Sequence, residues 1–292
     1  MSSIPDLVQS RVDSRQYRFS FAIEALSQVP AGFALPEDFV AVDAGVFLPR
    51  ADPGWLGRRD YHARILLMGG GELLISPHPE SGERPVRVPL ESIECVEWGR
   101  ILLTGWVVLT WKGGRERLPY NTRGTNAVEK CVRIIEDRWL PAASTPQTPS
   151  AAAVFGEPLN LKFENAKSAE QLPGEAPLAL FFQPGLGGPR KRWRFRRSDW
   201  PAGDLVLVTS RRLLWIAERQ HGRYERYGTV SHSARLPSVA CVRYVRAGRS
   251  GELDVAFGSG REWHVPVRED HEPEARGFEA AVRKALCGHA TI

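Results

Sequence analysis

Cysteine is scarce in this chain: Cys95, Cys131, Cys241 and Cys287 are the only four in 292 residues. None falls in a Cys-x-x-Cys pair, which excludes a disulfide scaffold and a paired-cysteine zinc site and predicts reduced thiols in a cytoplasmic chain. The seven histidines are scattered, with no His-Glu-x-x-His spacing. Lysine is rare too, at 6 against 33 arginines, and with abundant Ala, Gly and Pro this reads as GC-rich coding rather than as function. The longest weakly polar run, Ile101–Trp111, is about half of the ~20 residues a spanning helix needs. The first residues, MSSIPDLVQSRVDSRQYRF, carry charge throughout and lack the apolar stretch of a secretory signal. A phosphate-binding Gly-x4-Gly-Lys-Ser/Thr loop, a Gly-x-Gly-x-x-Gly turn after a strand and a Gly-x-Ser-x-Gly elbow are all missing. Together these absences predict a chain that is not an enzyme and that needs no cofactor and no metal.

What is present is a break and a repeat. Pro141–Ala153 (PAASTPQTPSAAA) has no charge and no periodicity, and reads as a linker. Val154–Gln171 extends that linker or forms an arm packing on a neighbouring domain. On either side the same pattern recurs. Ile65–Met68, a Gly69–Gly71 turn and Leu73–Ile75 answer Leu205–Val208, a Thr209–Arg211 turn and Leu213–Ile216. Leu90–Val96 answers Leu236–Val242 at an offset of 146 residues, and the same offset aligns Trp111 with Phe257 and Gly114-Arg115-Glu116 with Gly260-Arg261-Glu262. A constant offset over separate segments predicts an internal duplication.

Within each copy, short runs rich in Val, Ile, Leu and Trp lie between Gly, Ser, Asp and Arg turns, as antiparallel strands do. Trp106–Trp111 and Arg115–Tyr120 flank a Gly-containing turn, as do Leu253–Phe257 and Arg261–Val267. The period then becomes helical. Val128, Cys131/Val132, Ile135 and Trp139 form one apolar stripe, with Asn126 and Glu129 placed to cap it; Phe278, Ala281/Val282 and Ala285/Leu286 form the other, opened by Pro273.

Strands followed by one C-terminal helix resemble the pleckstrin-homology-like (PH-like) layout. Leu205–Ile216 (LVLVTSRRLLWI) resembles the hairpin of bacterial PH-like and GRAM-like domains, where a Thr-x-Arg-Arg-Leu turn joins two strands, and Leu236-Pro237-Ser238-Val239 resembles the strand that follows. The first copy keeps Val88-Pro89-Leu90-Glu91-Ser92-Ile93 but has Gly69-Gly70-Gly71-Glu72 at the turn. The resemblance implies a mainly β fold with α: two PH-like β-barrels, each closed by a C-terminal amphipathic helix. It divides the chain into an extension at residues 1–34, a first domain at 35–140, a linker at 141–171 and a second domain at 172–292. In the extension, Ile4, Leu7 and Val8 suit a short amphipathic turn and Phe19–Leu26 a joining strand or helix. The resemblance also implies a non-catalytic binding or scaffolding module whose partner is a protein or an anionic phospholipid surface.

Two surface features stand out. Arg190, Lys191, Arg192, Arg194, Arg196 and Arg197 interleave with Trp193 and Phe195. On a strand, Arg192, Arg194 and Arg196 share one face and the aromatics the other. Guanidinium groups grip phosphate bidentately, so the cationic face suits a lipid headgroup. Nucleic acid, with Trp193 or Phe195 stacked on bases, is the alternative partner. The plainer reading is an edge strand with its aromatics inside and its charges outside. The second feature is Ile101, Leu102 and Leu103, an apolar loop tip suited to a membrane surface or partner groove, or simply to packing. The remaining candidates read as structural. Gly185–Pro189 is a loop, because Pro189 blocks a phosphate-binding turn; His221, His232 and His271 are solvated; His264 faces outward from a strand; Cys95 and Cys241 pack as small apolar groups.

The formal charge of +5 is unevenly spread. Residues 1–171 hold 19 Lys+Arg and 21 Asp+Glu, whereas residues 172–292 hold 20 and 13, a net of −2 against +7. The second half is therefore where an anionic partner is expected, on a protein that is cytoplasmic and at most peripheral to a membrane.

Overall fold

The computed structural model describes residues 19–50, 62–101, 104–140, 152–185, 203–221, 224–248 and 250–289. The chain divides into two compact units, Met1–Trp139 and Leu140–Ile292. Among the described residues no helix is long and apolar enough to cross a membrane.

The first unit opens with β1 (Phe21–Ala22), β2 (Ala44–Leu48), β3 (Arg64–Gly69), β4 (Glu72–Pro77) and β5 (Val86–Pro89), paired antiparallel in that order. A 3-10 turn at Leu90–Ser92 redirects the chain into an antiparallel meander: β6 (Ile93–Ile101), β7 (Thr104–Trp111) and β8 (Gly114–Asn121). Helix α1 (Thr125–Trp139) follows. Asn121 rather than Asn126 does the capping: its Oδ1 accepts from the Arg123 amide at 3.0 Å, on the 3-10 turn that leads into α1. Ile23, Phe33 and Phe39 are buried against Phe47, Ile65, Leu67 and Leu74 on one face of the β1–β5 sheet. Ile23 and Phe33, from the extension whose Phe19–Leu26 segment is expected to join this unit, thus supply part of its core.

In the second unit, β9 (Ala153–Gly156), β10 (Pro177–Gln183), β11 (Asp204–Thr209), β12 (Arg212–His221) and β13 (Tyr224–Arg235) make the larger sheet, and helix α2 (Leu161–Glu170) lies in the chain between β9 and β10. Strands β10–β13 pair antiparallel, while β9 runs parallel to β10. After a 3-10 turn at Leu236–Ser238 come β14 (Val239–Ala247), β15 (Ser250–Phe257), β16 (Glu262–Val267) and α3 (Glu272–His289). Residues 153–170, irregular to the eye, are therefore a strand and a helix of this unit. Asn160 Oδ1 caps α2 by accepting from the Phe163 amide at 3.1 Å.

The strands of the larger sheet read as unbroken apolar runs because both faces are buried. Phe181, Val206, Val208, Leu213 and Trp215 face a core shared with β14–β16 and α3. Leu180, Phe182, Leu205, Leu207 and Leu214 face Phe163 of α2. The composition is mainly β with α, as expected. Among the described residues, however, no sheet closes into a barrel. In each unit the 3-10 turn carries the chain from a larger sheet into a separate three-stranded meander instead.

The element order recurs, including a bulge between Ile93 and Cys95 that reappears between Val239 and Cys241. The offset of 146 fails past the next turn. The first meander turns on two residues, Lys112-Gly113, and pairs Trp111 with Gly114; the second uses three, Gly258–Gly260, and pairs Ala256 with Glu262. The left-handed glycines are Gly113 (φ 93°) and Gly260 (φ 81°), so from here the structural offset is 147. One extra turn residue shifts every later side chain by one position.

Candidate functional site: the grooves beside the C-terminal helices

The residues singled out in sequence fall mostly outside the described set. Arg190, Lys191, Arg192, Arg194, Arg196 and Arg197 all lie there, as do Leu102 and Leu103 and the early residues Ile4, Leu7 and Val8. Ile101 ends β6 and pairs with Thr104.

The Thr-x-Arg-Arg turn is architectural. Thr209 Oγ1 accepts from the Arg211 and Arg212 amides (3.1 and 3.0 Å) and donates to Glu175 Oε1 (2.7 Å). Arg212, fully buried, donates from Nε and Nη2 to the two Glu175 oxygens (2.9 and 3.0 Å), from Nη1 to Ser233 Oγ (3.1 Å) and from Nη2 to the Glu170 carbonyl. A buried ion pair of this kind persists only when its remaining hydrogen-bonding groups are satisfied, as they are here. In the first unit the equivalent turn is Gly70-Gly71, both at positive φ (61° and 83°), which a two-residue hairpin loop requires.

Two histidines expected in solvent are buried. His232 stacks on Trp215, centroids 4.5 Å apart and planes at 17°. His271 lies edge-on to Phe181. Cys95 is buried as expected, but its counterpart Cys241 is exposed.

Among the described residues one set of three potential metal donors converges: Glu252, Asp254 and His264, on the outer face of β15–β16. His264 Nδ1 lies 2.9 Å from Asp254 Oδ1 and 3.6 Å from Glu252 Oε2, and Nε2 lies 3.7 Å from Glu262 Oε2. The hydrogen bond to Asp254, followed by the surrounding carboxylates, raises the imidazole pKa above its ordinary value. The same face of the first unit carries Arg117 over the Trp106 ring at 5.0 Å, with the Trp106 indole donating to Glu97.

The candidate site is the space between the first long strand and the C-terminal helix of each unit. In the second unit, β9 fills it. Ala153, Val154, Phe155 and Gly156 pair with Ala179, Leu180, Phe181 and Phe182 of β10. Phe155 packs edge-on against Phe278 of α3 (6.3 Å, 77°), and Phe278 in turn lies 6.0 Å from Phe181. Gly277 makes room: a Cβ there would stand 2.7 Å from the Phe155 ring. Just past the strand, Glu157 Oε1 is 3.5 Å from both Arg268 Nη2 and His271 Nε2. Yet the strand is short and its outer side faces solvent, with Val154 64% exposed.

In the first unit the corresponding space is filled only in part. β1 is two residues long and antiparallel to β2, and the chain leaves the sheet after the Ile23 amide donates to the Gly45 carbonyl at 2.8 Å. A cavity of about 170 Å³ remains, walled by Ala22–Glu24, Asp43–Gly45 and Ala127, Lys130, Cys131 and Ile134 of α1. At the helix offset of 147, Cys131 stands where Phe278 does and Lys130 where Gly277 does. Burial pushes the Cys131 thiol up to about 12, so the floor is neutral. Lys130 Nζ pairs with Glu24 Oε1 at 2.6 Å on the rim.

Sequence reasoning missed both grooves, because their contents come from segments without periodicity. The one visible signal was Phe155, a lone aromatic after a Pro/Ala/Ser/Thr stretch. No protein-family model and no curated protein matches this chain.

Proposed function

We propose that this chain is a non-catalytic binding and scaffolding protein made of two PH-like units, which takes an extended segment of a protein partner between a sheet edge and a C-terminal helix. The observation that carries this reading is β9: four residues added in parallel to β10, anchored by one aromatic on α3. Strand addition of this kind draws affinity from main-chain hydrogen bonds and specificity from side-chain pockets. The test returns the segment in trans. Phe155→Pro removes both the ring and an amide donor, vacating the groove. A labelled peptide of residues 151–158 is expected to bind this variant and to lose binding when Gly277→Leu is added. Failure of the peptide to bind the vacated groove overturns the reading.

The net charge of +7 over residues 172–292 favours a second, compatible reading, in which Arg190–Arg197 meets an anionic phospholipid surface. Changing Arg192, Arg194 and Arg196 to Glu is expected to abolish sedimentation with acidic liposomes; unchanged sedimentation refutes it.

A further inference from the structure

We infer that the cavity between β1–β2 and α1 is a pocket for one aromatic side chain of an extended, basic peptide, an inference that rests on the strand-docking reading above. The second unit supplies the internal precedent. There the space against the helix holds two rings, Phe155 from the arm and Phe278 from α3. In the first unit, Cys131 replaces Phe278, and Ala22, paired with Val46 as Phe155 is with Phe181, replaces Phe155. What remains is about 170 Å³, and a cavity of about 150 Å³ is known to admit a benzene ring.

The walls match that occupant. Ala22, Ile23, Ala44, Ala127, Cys131 and Ile134 are apolar, and the Cys131 thiol stays protonated, so the floor offers contact without charge. The rim carries charge of mainly one sign. Glu24 and Asp43 face a single cation, Lys130, which is already paired with Glu24. The excess of acid selects a cationic neighbour beside the aromatic, because opposite charge at a rim aids encounter and like charge penalises it.

The experiment uses the full wild-type chain, whose second groove is filled by its own strand, and three labelled hexapeptides read by fluorescence anisotropy. Ala-Ala-Val-Phe-Arg-Arg is expected to bind. Replacing its Phe by Ala is expected to weaken binding about tenfold or more, the effect of losing a buried ring. Replacing both Arg by Glu is expected to weaken it about twofold to fivefold, the scale of exposed charge pairs. In the protein, Cys131→Phe fills the pocket as Phe278 does and is expected to abolish binding with an unchanged circular dichroism spectrum; Ala127→Leu serves if that variant does not fold. Equal binding of the Phe and Ala peptides, or binding that survives both pocket-filling variants, overturns the inference. If the wild-type chain ignores the Phe-Arg peptide while the Phe155→Pro chain takes back its own segment, the pocket falls and the strand-docking reading stands. If neither binds, both fall.

Discussion

In the second unit the arm enters parallel to β10 and reaches the helix with Phe155; in the first it enters antiparallel to β2 and leaves the sheet after two residues. Both arms then cross the outer face of the larger sheet. One does so as helix α2 with Phe163 against Phe182 (4.9 Å), the other as irregular chain with Phe33 and Phe39. The framework is common and the arms are not. A repeated fold can therefore keep its core while the strand at its edge differs in direction and length between the copies. The turn between the second and third long strands of each framework, β11–β12 and β3–β4, diverges as well. At positions 140 residues apart, Arg212 sits in a buried network with Glu175, and Glu72 pairs with Arg87 at the surface.

The sharpest way to break this comparison is at those two turns. Arg212→Ala strands the Glu175 carboxylate in the interior and is expected to cost the second unit about 3–5 kcal/mol in chemical denaturation. Arg87→Ala, in contrast, is expected to leave the denaturation of the first unit unchanged, because exposed ion pairs contribute little. Equal losses would show that the two turns do the same job. Next comes the arm. Phe155→Ala is expected to destabilise the second unit by about 1–2 kcal/mol, in keeping with a half-buried ring. Gly277→Leu is expected to expel that ring and speed amide exchange at 153–156, whereas Lys130→Leu, its counterpart, leaves exchange in β1 as it was. Smaller still is the difference between the buried and the exposed cysteines. Cys241 and Cys287 are expected to alkylate readily in the folded chain, and Cys95 and Cys131 only on unfolding, as counted by mass spectrometry.

The smallest effect distinguishes the outer meander faces. His264 is expected to titrate above an ordinary histidine in an NMR titration, with Asp254→Asn moving it back down. Because the folded pKa is the higher one, the stabilisation is complete below the unfolded value and is lost as pH rises through the folded one. The structural counterpart of His264 is Arg117, so no such pH dependence is expected from that face of the first unit.

Much of this was legible in the sequence. Leu205–Val208 and Leu213–Ile216 announce a buried hairpin, the stripe at Val128, Cys131, Val132 and Ile135 announces α1, and the 146-residue spacing announces the recurring element order. The illegible parts have physical causes. An inserted turn residue at Gly258–Gly260 leaves the local pattern intact while shifting register, so the alignment of Gly114 with Gly260 looked sound. His232 and His271 sit in polar-looking stretches, but aromatic partners distant in sequence bury them. Strand β9 and helix α2 gain their stability from tertiary packing of Phe155 and Phe163, to which periodicity is blind. The Thr-x-Arg-Arg turn does not itself tell that Arg212 is buried, because a buried guanidinium is recognisable only once its carboxylate, 37 residues away, is in place.

The position of β9 in the chain has a consequence for biosynthesis. Synthesis proceeds from the N-terminus at roughly 5–20 residues per second. Strand β9 and helix α2 therefore leave the ribosome before β10, whose Leu-Ala-Leu-Phe-Phe run would otherwise be a naked apolar edge. Helix α3, which completes the groove, emerges last of all. The nascent unit thus carries a provisional partner for its stickiest strand from the moment that strand appears.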